Sequence, residues 1–260
     1  MVSTPIGNLE DISIRAIKTL QSVDFIICED SRVTNKLLSK YGIKNKIFVY
    51  NDHSKEADRE KITNHIKEGK AAALVSDAGT PLISDPGLKL VRSLKGKNIY
   101  ITAVPGACAV ISALVISGVD SDKFDFYGFL PVKKIDRMSI LEEITSSSKS
   151  SIIYETAKKL VHLLNDVIEI NPEQNIVIVR EMTKLYEEVI SDTAKNLLTK
   201  SFKGELVVIF PKNALGLSKT LVDDSIIKIL KNLSTKDGQI ILKKLYPEMK
   251  KNDLYNLLKN

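Results

Sequence analysis

Residues Ser76–Gly87 read SDAGTPLISDPG and follow an apolar run, Ala71–Val75, that is typical of a buried parallel strand. A helical pattern, Leu88–Leu94, comes directly after them. Two glycines, two prolines and two aspartates therefore stand in one strand-to-helix loop. Glycine permits unusual φ angles and close approach of the backbone to a ligand, whereas proline stiffens the chain. Because open α/β sheets bind ligands beyond the carboxyl ends of their strands, we expect this loop to line a small-molecule pocket.

Strand and helix patterns alternate on both sides of this loop. The predicted strands are Met1–Ser3, Val23–Cys28, Ile47–Tyr50 and Ile99–Val104, and the predicted helices are Asp11–Ser22, Ser31–Lys40 and Ser54–Lys67. Repeated strand–helix units of this length indicate the α/β class, with a parallel sheet wrapped by helices.

A polar segment at residues 117–122 marks a domain boundary after another apolar helix, Ala107–Ile116. Beyond it we predict a second α/β unit with a mixed sheet. Its strands are Phe124–Phe129, Ser151–Tyr154, Asn175–Val179 and Glu205–Phe210, and its helices cover about 135–146, 157–169 and 192–200.

The last part of the chain favours short helices, at Leu221–Leu230, Lys236–Leu245 and Lys250–Leu258. We therefore expect an N-terminal α/β domain (1–117), a C-terminal α/β domain (118–212) and a helical tail (213–260). The tail is either an RNA-binding module or a segment packed on the main body.

Composition narrows the class of protein. The chain has 260 residues, of which 43% are hydrophobic, as in ordinary globular proteins. It has neither an apolar run of bilayer length nor a signal-peptide pattern, so we expect a cytoplasmic protein without a membrane segment. Cys28 and Cys108 stand in apolar contexts and are expected to be unpaired, and three scattered histidines predict no metal site. The net charge of +6 permits an anionic partner, although a lysine-rich composition explains it equally well.

The loop Ser3–Asp11, which joins the first strand to the first helix, carries neither a G-x-G-x-x-G motif nor a phosphate-binding P-loop. A Rossmann oxidoreductase and a nucleotide hydrolase are therefore disfavoured. The loop belongs instead to an ordered set of eight short motifs: Thr4–Asp11, Glu29–Arg32, Val75–Pro81, Ser84–Gly87, Val104–Gly106, Tyr127–Pro131, Tyr154–Glu155 and Arg180–Lys184.

This set closely resembles the bacterial ribosomal RNA small subunit methyltransferase I family, of the tetrapyrrole methylase-like class. The resemblance runs from Val2 to about Phe210 and more loosely through the tail. It implies two α/β domains with a cofactor cleft between them, S-adenosyl-L-methionine as cofactor, and a homodimer. It also implies 2′-O-methylation of a cytidine ribose in the decoding region of 16S rRNA, within the 30S subunit. Two alternatives stay open, a tetrapyrrole-type small-molecule methylase and a non-catalytic ribosome-binding protein.

The resemblance also implies which residues contact the cofactor: Pro5, Ala78, Gly79, Thr80, Ile83, Cys108, Ala109, Tyr154, Glu155 and Met182. At Cys108 the family commonly has serine. For Ile83 and Met182, ordinary core packing is the alternative explanation.

A ribose hydroxyl is a weak nucleophile, so a nearby carboxylate or lysine is needed to take its proton. We favour Glu181 and Lys184 beside the 2′-oxygen, with Asp30 as a further catalytic candidate that shapes the RNA side together with Arg32. A simple local ion pair between Glu181 and Lys184 is the alternative.

Two groups of cations are candidates for binding RNA phosphates. Arg32 and Lys36 share a helix face, and Lys133, Lys134 and Arg137 cluster directly after Leu130-Pro131. A solvated helix face is the alternative explanation for the second group.

Overall fold

The first domain contains a parallel three-stranded sheet with strand order β2-β1-β3. In this computed structural model, which describes residues 1–212, 224–246, 254, 255 and 258, a 3₁₀ turn at Leu9–Asp11 precedes the first helix. The strands are β1 (Phe25–Cys28), β2 (Ile47–Val49) and β3 (Ala72–Leu74), and the helices are α1 (Ile14–Ser22), α2 (Ser31–Lys40), α3 (Glu56–Lys67) and α4 (Leu88–Lys95). All four residues of β1 are buried, because helices cover both faces of the sheet.

Two strands predicted at the edge of this sheet are much shorter than expected. Between Met1–Ser3 and Ile99–Val104 the strand pairing is reduced to a parallel bridge of Val2 with Val104. The Val2 amide donates to the Leu74 carbonyl at 2.9 Å, which attaches this pair beside β3. The strand pairing ends at this bridge because Pro105 and Gly106 follow Val104, and the Thr4–Pro5 loop follows the first segment.

The second domain contains a mixed five-stranded sheet with strand order β4-β5-β8-β6-β7, which confirms the expected mixed sheet. Its strands are β4 (Phe124–Phe129), β5 (Ser150–Thr156), β6 (Asn175–Arg180), β7 (Glu188–Thr193) and β8 (Glu205–Phe210). The pair β4·β5 is parallel, and the other three pairs are antiparallel. Helices α6 (Lys134–Ser146), α7 (Ala157–Ile170) and α8 (Ala194–Leu197) pack on this sheet.

The sequence did not predict β7. It lies at the edge of the sheet and its residues are exposed or half-buried, so it lacks the apolar run that marks a central strand. Its last residue, Thr193, then caps α8 by accepting a hydrogen bond from the Asn196 amide at 3.3 Å. The helix predicted at 192–200 is therefore limited to four residues.

Helix α5 (Ala109–Ser117) comes before the predicted domain boundary but packs on the second sheet. Its buried residues Val110, Ala113 and Leu114 form one cluster with core residues of β5, β6 and β8. The division at residue 117 stays a prediction, and α5 is the element that ties the two domains together.

In the last part of the chain, helices α9 (Asp224–Leu230) and α10 (Thr235–Leu245) form a small cluster around Leu230 and Leu242. Leu254 also belongs to this cluster, but most of the predicted helix Lys250–Leu258 lies outside the described residues, as do residues 221–223. No helix within the described part of the chain has the length and apolar character to cross a bilayer.

Candidate active site

A cavity of about 400 Å³ lies between the two domains. The first domain contributes one residue of its first loop, most of the loop after β3, and the start of α5. The second domain contributes the ends of β4 and β5, the turn after β6 and the start of β8. The volume is within the range of small-molecule sites, and the position matches the one expected for an α/β fold.

The loop Ser76–Gly87 forms the first-domain wall with a strongly curved backbone. Gly79 has a φ of 84°, and its amide and carbonyl pair with Thr4. A Cβ at this position would lie 3.1 Å from Cγ2 of Ile6. The Thr80 hydroxyl donates to the Ala107 carbonyl at 2.9 Å, which joins this loop to the residues before α5. Of the predicted cofactor residues in this loop, Ala78, Gly79, Thr80 and Ile83 all line the cavity.

Pro5 is buried behind the wall rather than facing the cavity. Its neighbour Ile6 lines the cavity instead and packs against Gly79. The loop Ser3–Asp11 therefore reaches the cavity through Ile6 and not through Pro5.

Cys108 and Ala109 line the cavity where α5 begins. Cys108 is the N-cap residue, and its side chain makes no capping hydrogen bond. The N-terminus of a nine-residue helix, with its partial positive charge, therefore opens at the cavity. Such an end binds carboxylates well.

Tyr154, Glu155 and Met182 form part of the opposite wall. The Tyr154 ring packs edge-on against Phe126, with centroids 5.0 Å apart, and burial raises the pKa of its hydroxyl. Glu155 is buried, and its carboxylate accepts the Thr156 amide at 2.7 Å. Met182 is half-buried against the cluster that contains α5, so it contributes both to the core and to the lining.

Glu181 and Lys184 both line the cavity and are paired, with Lys184 Nζ 3.2 Å from Glu181 Oε1. The backbone of this turn is unusual, because Glu181 has a φ of 51° although it is not glycine. Gly204, directly before β8, leaves room for the carboxylate, because a Cβ there would lie 2.8 Å from Glu181 Oε1. Both side chains are partly exposed to the cavity.

The cavity is acidic. Five carboxylates line it, and Lys184 is the one cation among the lining residues that the structure describes; the carboxylates are Asp77, Asp85, Glu155, Glu181 and Glu205. Burial raises the pKa of Asp85 to about 6, and the negative charges of Glu29, Asp77 and Glu205 add to the effect, while a hydrogen bond with Ser76 opposes it. A site of this kind attracts a ligand that carries positive charge.

Asp30, Arg32 and Lys36 lie outside the cavity lining. Asp30 caps α2 by accepting the Arg32 amide at 2.8 Å, and it pairs with the Arg32 guanidinium at 2.5 Å. These hydrogen bonds lower the pKa of Asp30 to about 2, which is poorly suited to accepting a proton near neutral pH. The Asp30 amide donates to the cavity residue Asp77, so this group lies directly behind the first-domain wall. Arg32 and Lys36 are exposed on α2.

The second group of predicted RNA-binding cations also lies outside the cavity lining. Its members, Lys133, Lys134 and Arg137, differ in burial and in ion pairing. Arg137 is largely buried and donates to the buried carboxylate of Asp166 at 2.7 Å. Lys134 pairs with Glu169 at 2.7 Å. These ion pairs argue against phosphate contacts from Arg137 and weaken the case for Lys134, whereas Lys133 is exposed.

Several lining residues were not among those predicted: Ile6, Ser84, Asp85, Phe129 and residues 204–207. Ser84, Asp85 and Phe129 belong to motifs visible in the sequence. Residues 204–207 do not belong to any of the eight motifs. They reach the site because β8 runs antiparallel to β5, which pairs Glu205 with Thr156 at the end of β5.

Comparison with known proteins agrees with this fold. The chain belongs to the family of tetrapyrrole (corrin/porphyrin) methylases, whose model matches residues 1–198. Within that family it is similar to proteins named ribosomal RNA small subunit methyltransferase I. The one from Rickettsia prowazekii is 43% identical over 242 residues, which cover 91% of this chain and 86% of the relative. The one from Haemophilus influenzae is 40% identical over 266 residues, covering 98% and 94%. The resemblance predicted from the eight motifs is thereby confirmed.

A solved structure confirms the fold class. The cobalt-precorrin-4 methyltransferase of cobalamin biosynthesis superposes with a TM-score of 0.61, covering 81% of this chain and 93% of that one. The two sequences are 17% identical, so this likeness concerns the fold alone.

Proposed function

We propose that this protein transfers the methyl group of S-adenosyl-L-methionine to the ribose 2′-oxygen of a cytidine in the decoding region of 16S rRNA. The observation that carries the proposal is the acidic cavity between the domains of a chain that is 43% identical to a protein named ribosomal RNA small subunit methyltransferase I.

The lining fits this cofactor. When bound, the cofactor supplies an electrophilic methyl group on a positively charged sulfur, and it also carries an ammonium and a carboxylate. The five carboxylates of the lining suit the two positive charges. The start of α5 at Cys108 and Ala109 suits the carboxylate. Gly79 admits close backbone contact, and two other lining residues, the half-buried Met182 and the exposed Ile83, offer apolar surface to the adenine.

The catalytic groups in this proposal are Glu181 and Lys184. The Glu181 carboxylate takes the 2′-hydroxyl proton as the 2′-oxygen accepts the methyl group, which the bound cofactor would supply from its sulfonium, with the sulfur left neutral. Lys184 holds that carboxylate in place through the 3.2 Å ion pair. Alignment of the oxygen and exclusion of water supply most of the remaining acceleration. Asp30, with its lowered pKa, is assigned to capping α2 rather than to proton transfer.

The RNA side is assigned to exposed cations outside the cavity lining. Lys36 on α2 and Lys133 before α6 contact phosphates in this proposal. Arg32 adds to them because its side chain is 86% exposed although it pairs with Asp30. Such contacts make binding depend on salt. We also propose a cytoplasmic homodimer. The exposed apolar side chains Ile111, Val115 and Ile116 on α5 support a protein contact, and sedimentation equilibrium at twice the monomer mass is the expected result.

The test is methyl transfer from labelled cofactor to 30S subunits that lack the modification, followed by mapping of the labelled nucleotide. The expected product is one 2′-O-methylcytidine in the decoding region. Free 16S rRNA and a tetrapyrrole precursor serve as competing substrates. Label on the tetrapyrrole would establish the small-molecule alternative, and binding to 30S subunits without any transfer would establish the non-catalytic one.

A further inference from the structure

The turn that carries Glu181 and Lys184 forms hydrogen bonds with the first domain as well as within the second domain. The Asn8 amide of the first loop donates to the hydroxyl of Thr183 at 2.9 Å. Thr183 stands directly before Lys184, and its own amide donates to the Glu187 carboxylate at 2.7 Å. One threonine therefore links the first domain to the turn that presents the proposed catalytic pair.

The two loops approach so closely that only glycine fits between them. A Cβ on Gly7 would lie 2.6 Å from the Met182 carbonyl oxygen and 2.6 Å from the Thr183 hydroxyl. It would also lie 3.0 Å from Cγ of Lys184. Gly7 does not have a left-handed φ, so the requirement for glycine here comes from the contact and not from backbone conformation.

The backbone of Thr183 is strained in a way that favours a functional role. Its φ of 64° is rare for a β-branched residue and costs of the order of 1–3 kcal/mol. The same loop continues to the cofactor wall, because Ile6 lies against Gly79. Ile6, Gly7, Asn8 and Thr183 thus form a continuous path from the cofactor wall to Lys184.

We propose that Thr183 is a positioning residue: its hydrogen bond from Asn8 aligns the Glu181–Lys184 pair of the second domain with the cofactor wall of the first. This inference rests on the proposed function. It assigns Thr183 no contact with cofactor or substrate, so its loss is expected to slow methyl transfer while leaving cofactor affinity nearly intact.

The test compares Thr183→Val, which keeps the shape but removes the hydroxyl, with Thr183→Ser, which keeps the hydroxyl. In single-turnover methyl transfer to 30S subunits we expect Thr183→Val to be about tenfold slower than the wild type, and Thr183→Ser to recover most of that loss. The cofactor Kd, measured by calorimetry, is expected to change less than about twofold. Thr199→Val is the matched control, because it removes an exposed threonine hydroxyl from a residue outside the cavity lining.

Gly7→Ala tests the same contact from the other domain, and it carries the test if Thr183→Val does not fold. It should also lower the rate at nearly constant cofactor Kd, whereas Gly96→Ala, at a glycine with an ordinary φ of −62° after α4, should not. A Thr183→Val rate equal to that of the wild type would overturn the inference. So would a parallel loss of cofactor affinity, since Thr183 would then belong to the cofactor site itself. Failure of the proposed function is recognised separately, because the wild type would then transfer no methyl group.

Discussion

The two walls of the cavity achieve unusual backbone shapes by different means. The first-domain wall contains Gly79 and Gly87, with φ of 84° and 122°, in addition to left-handed Leu82 and Ser84. The turn in the second-domain wall places Glu181 and Thr183 at φ of 51° and 64° without any glycine. A glycine in the sequence indicates that the backbone can adopt a left-handed φ at that position, whereas a glutamate or a threonine gives no such indication. The comparison suggests that the first wall is built to approach a ligand and the second to hold reactive side chains.

The largest expected effect comes from the second wall. Glu181→Gln removes the proposed proton acceptor while keeping the size of the side chain, so we expect methyl transfer at saturating cofactor to fall about 100-fold. Cofactor Kd should change little. Steady-state kinetics with 30S subunits measures the rate, and Glu173→Gln, an exposed site in the same domain, is the control. A near-normal rate for Glu181→Gln would remove the chemical distinction between the two walls.

A smaller effect is expected from the first wall. Gly79→Ala forces a left-handed φ on alanine and brings its Cβ to 3.1 Å from Ile6, so cofactor affinity should fall about tenfold. Gly69→Ala is a closely matched control: its φ is 87°, but nothing lies within 4 Å of the added Cβ. Both variants should lose similar stability in urea unfolding. If both also lost similar cofactor affinity, the effect would reflect backbone strain in general and not the wall.

The smallest effect concerns Asp85 and its pH dependence. Its pKa is raised to about 6 in the folded protein, from 3.8. Between pH 3.8 and about 6, Asp85 keeps its proton in the folded state but loses it in the unfolded state. The stability that Asp85 contributes to the folded state is therefore complete below pH 3.8 and is lost as the pH rises through about 6. Asp85→Asn should remove this loss. After allowance for solvent screening at a half-exposed carboxyl group, the variant should gain roughly 1 kcal/mol over the wild type between pH 4 and pH 8.

Urea unfolding at several pH values measures this gain, with Asp136→Asn, an exposed carboxyl group outside the cavity, as the control. A stability difference between Asp85→Asn and the wild type that does not vary with pH would show that Asp85 is solvated like an ordinary surface aspartate. Asp85 would then contribute less to the binding of a positively charged ligand than its place in the lining indicates.

Much of the site was accessible from the sequence because its loops use residues with strong backbone preferences. Gly79, Thr80 and the start of α5 at Cys108 were predicted from motifs and face the cavity. Pro5 was predicted too, but which side of a loop faces a ligand depends on packing against a neighbour, here Gly79 on Ile6. Arg137 shows the same dependence on packing, because the buried Asp166 that engages it lies on α7, 29 residues away.

The sequence by itself determined the class of fold, the order of most helices and strands, and the loops that surround the cavity, because these follow from local periodicity and from glycine and proline. Only the tertiary structure decided that β8 brings Glu205 beside the end of β5, that α5 packs on the second sheet, and that Asn8 holds Thr183. These pairings join residues that are far apart in the chain. They depend on strand direction and on space between packed elements, and no local pattern of residues encodes either of these.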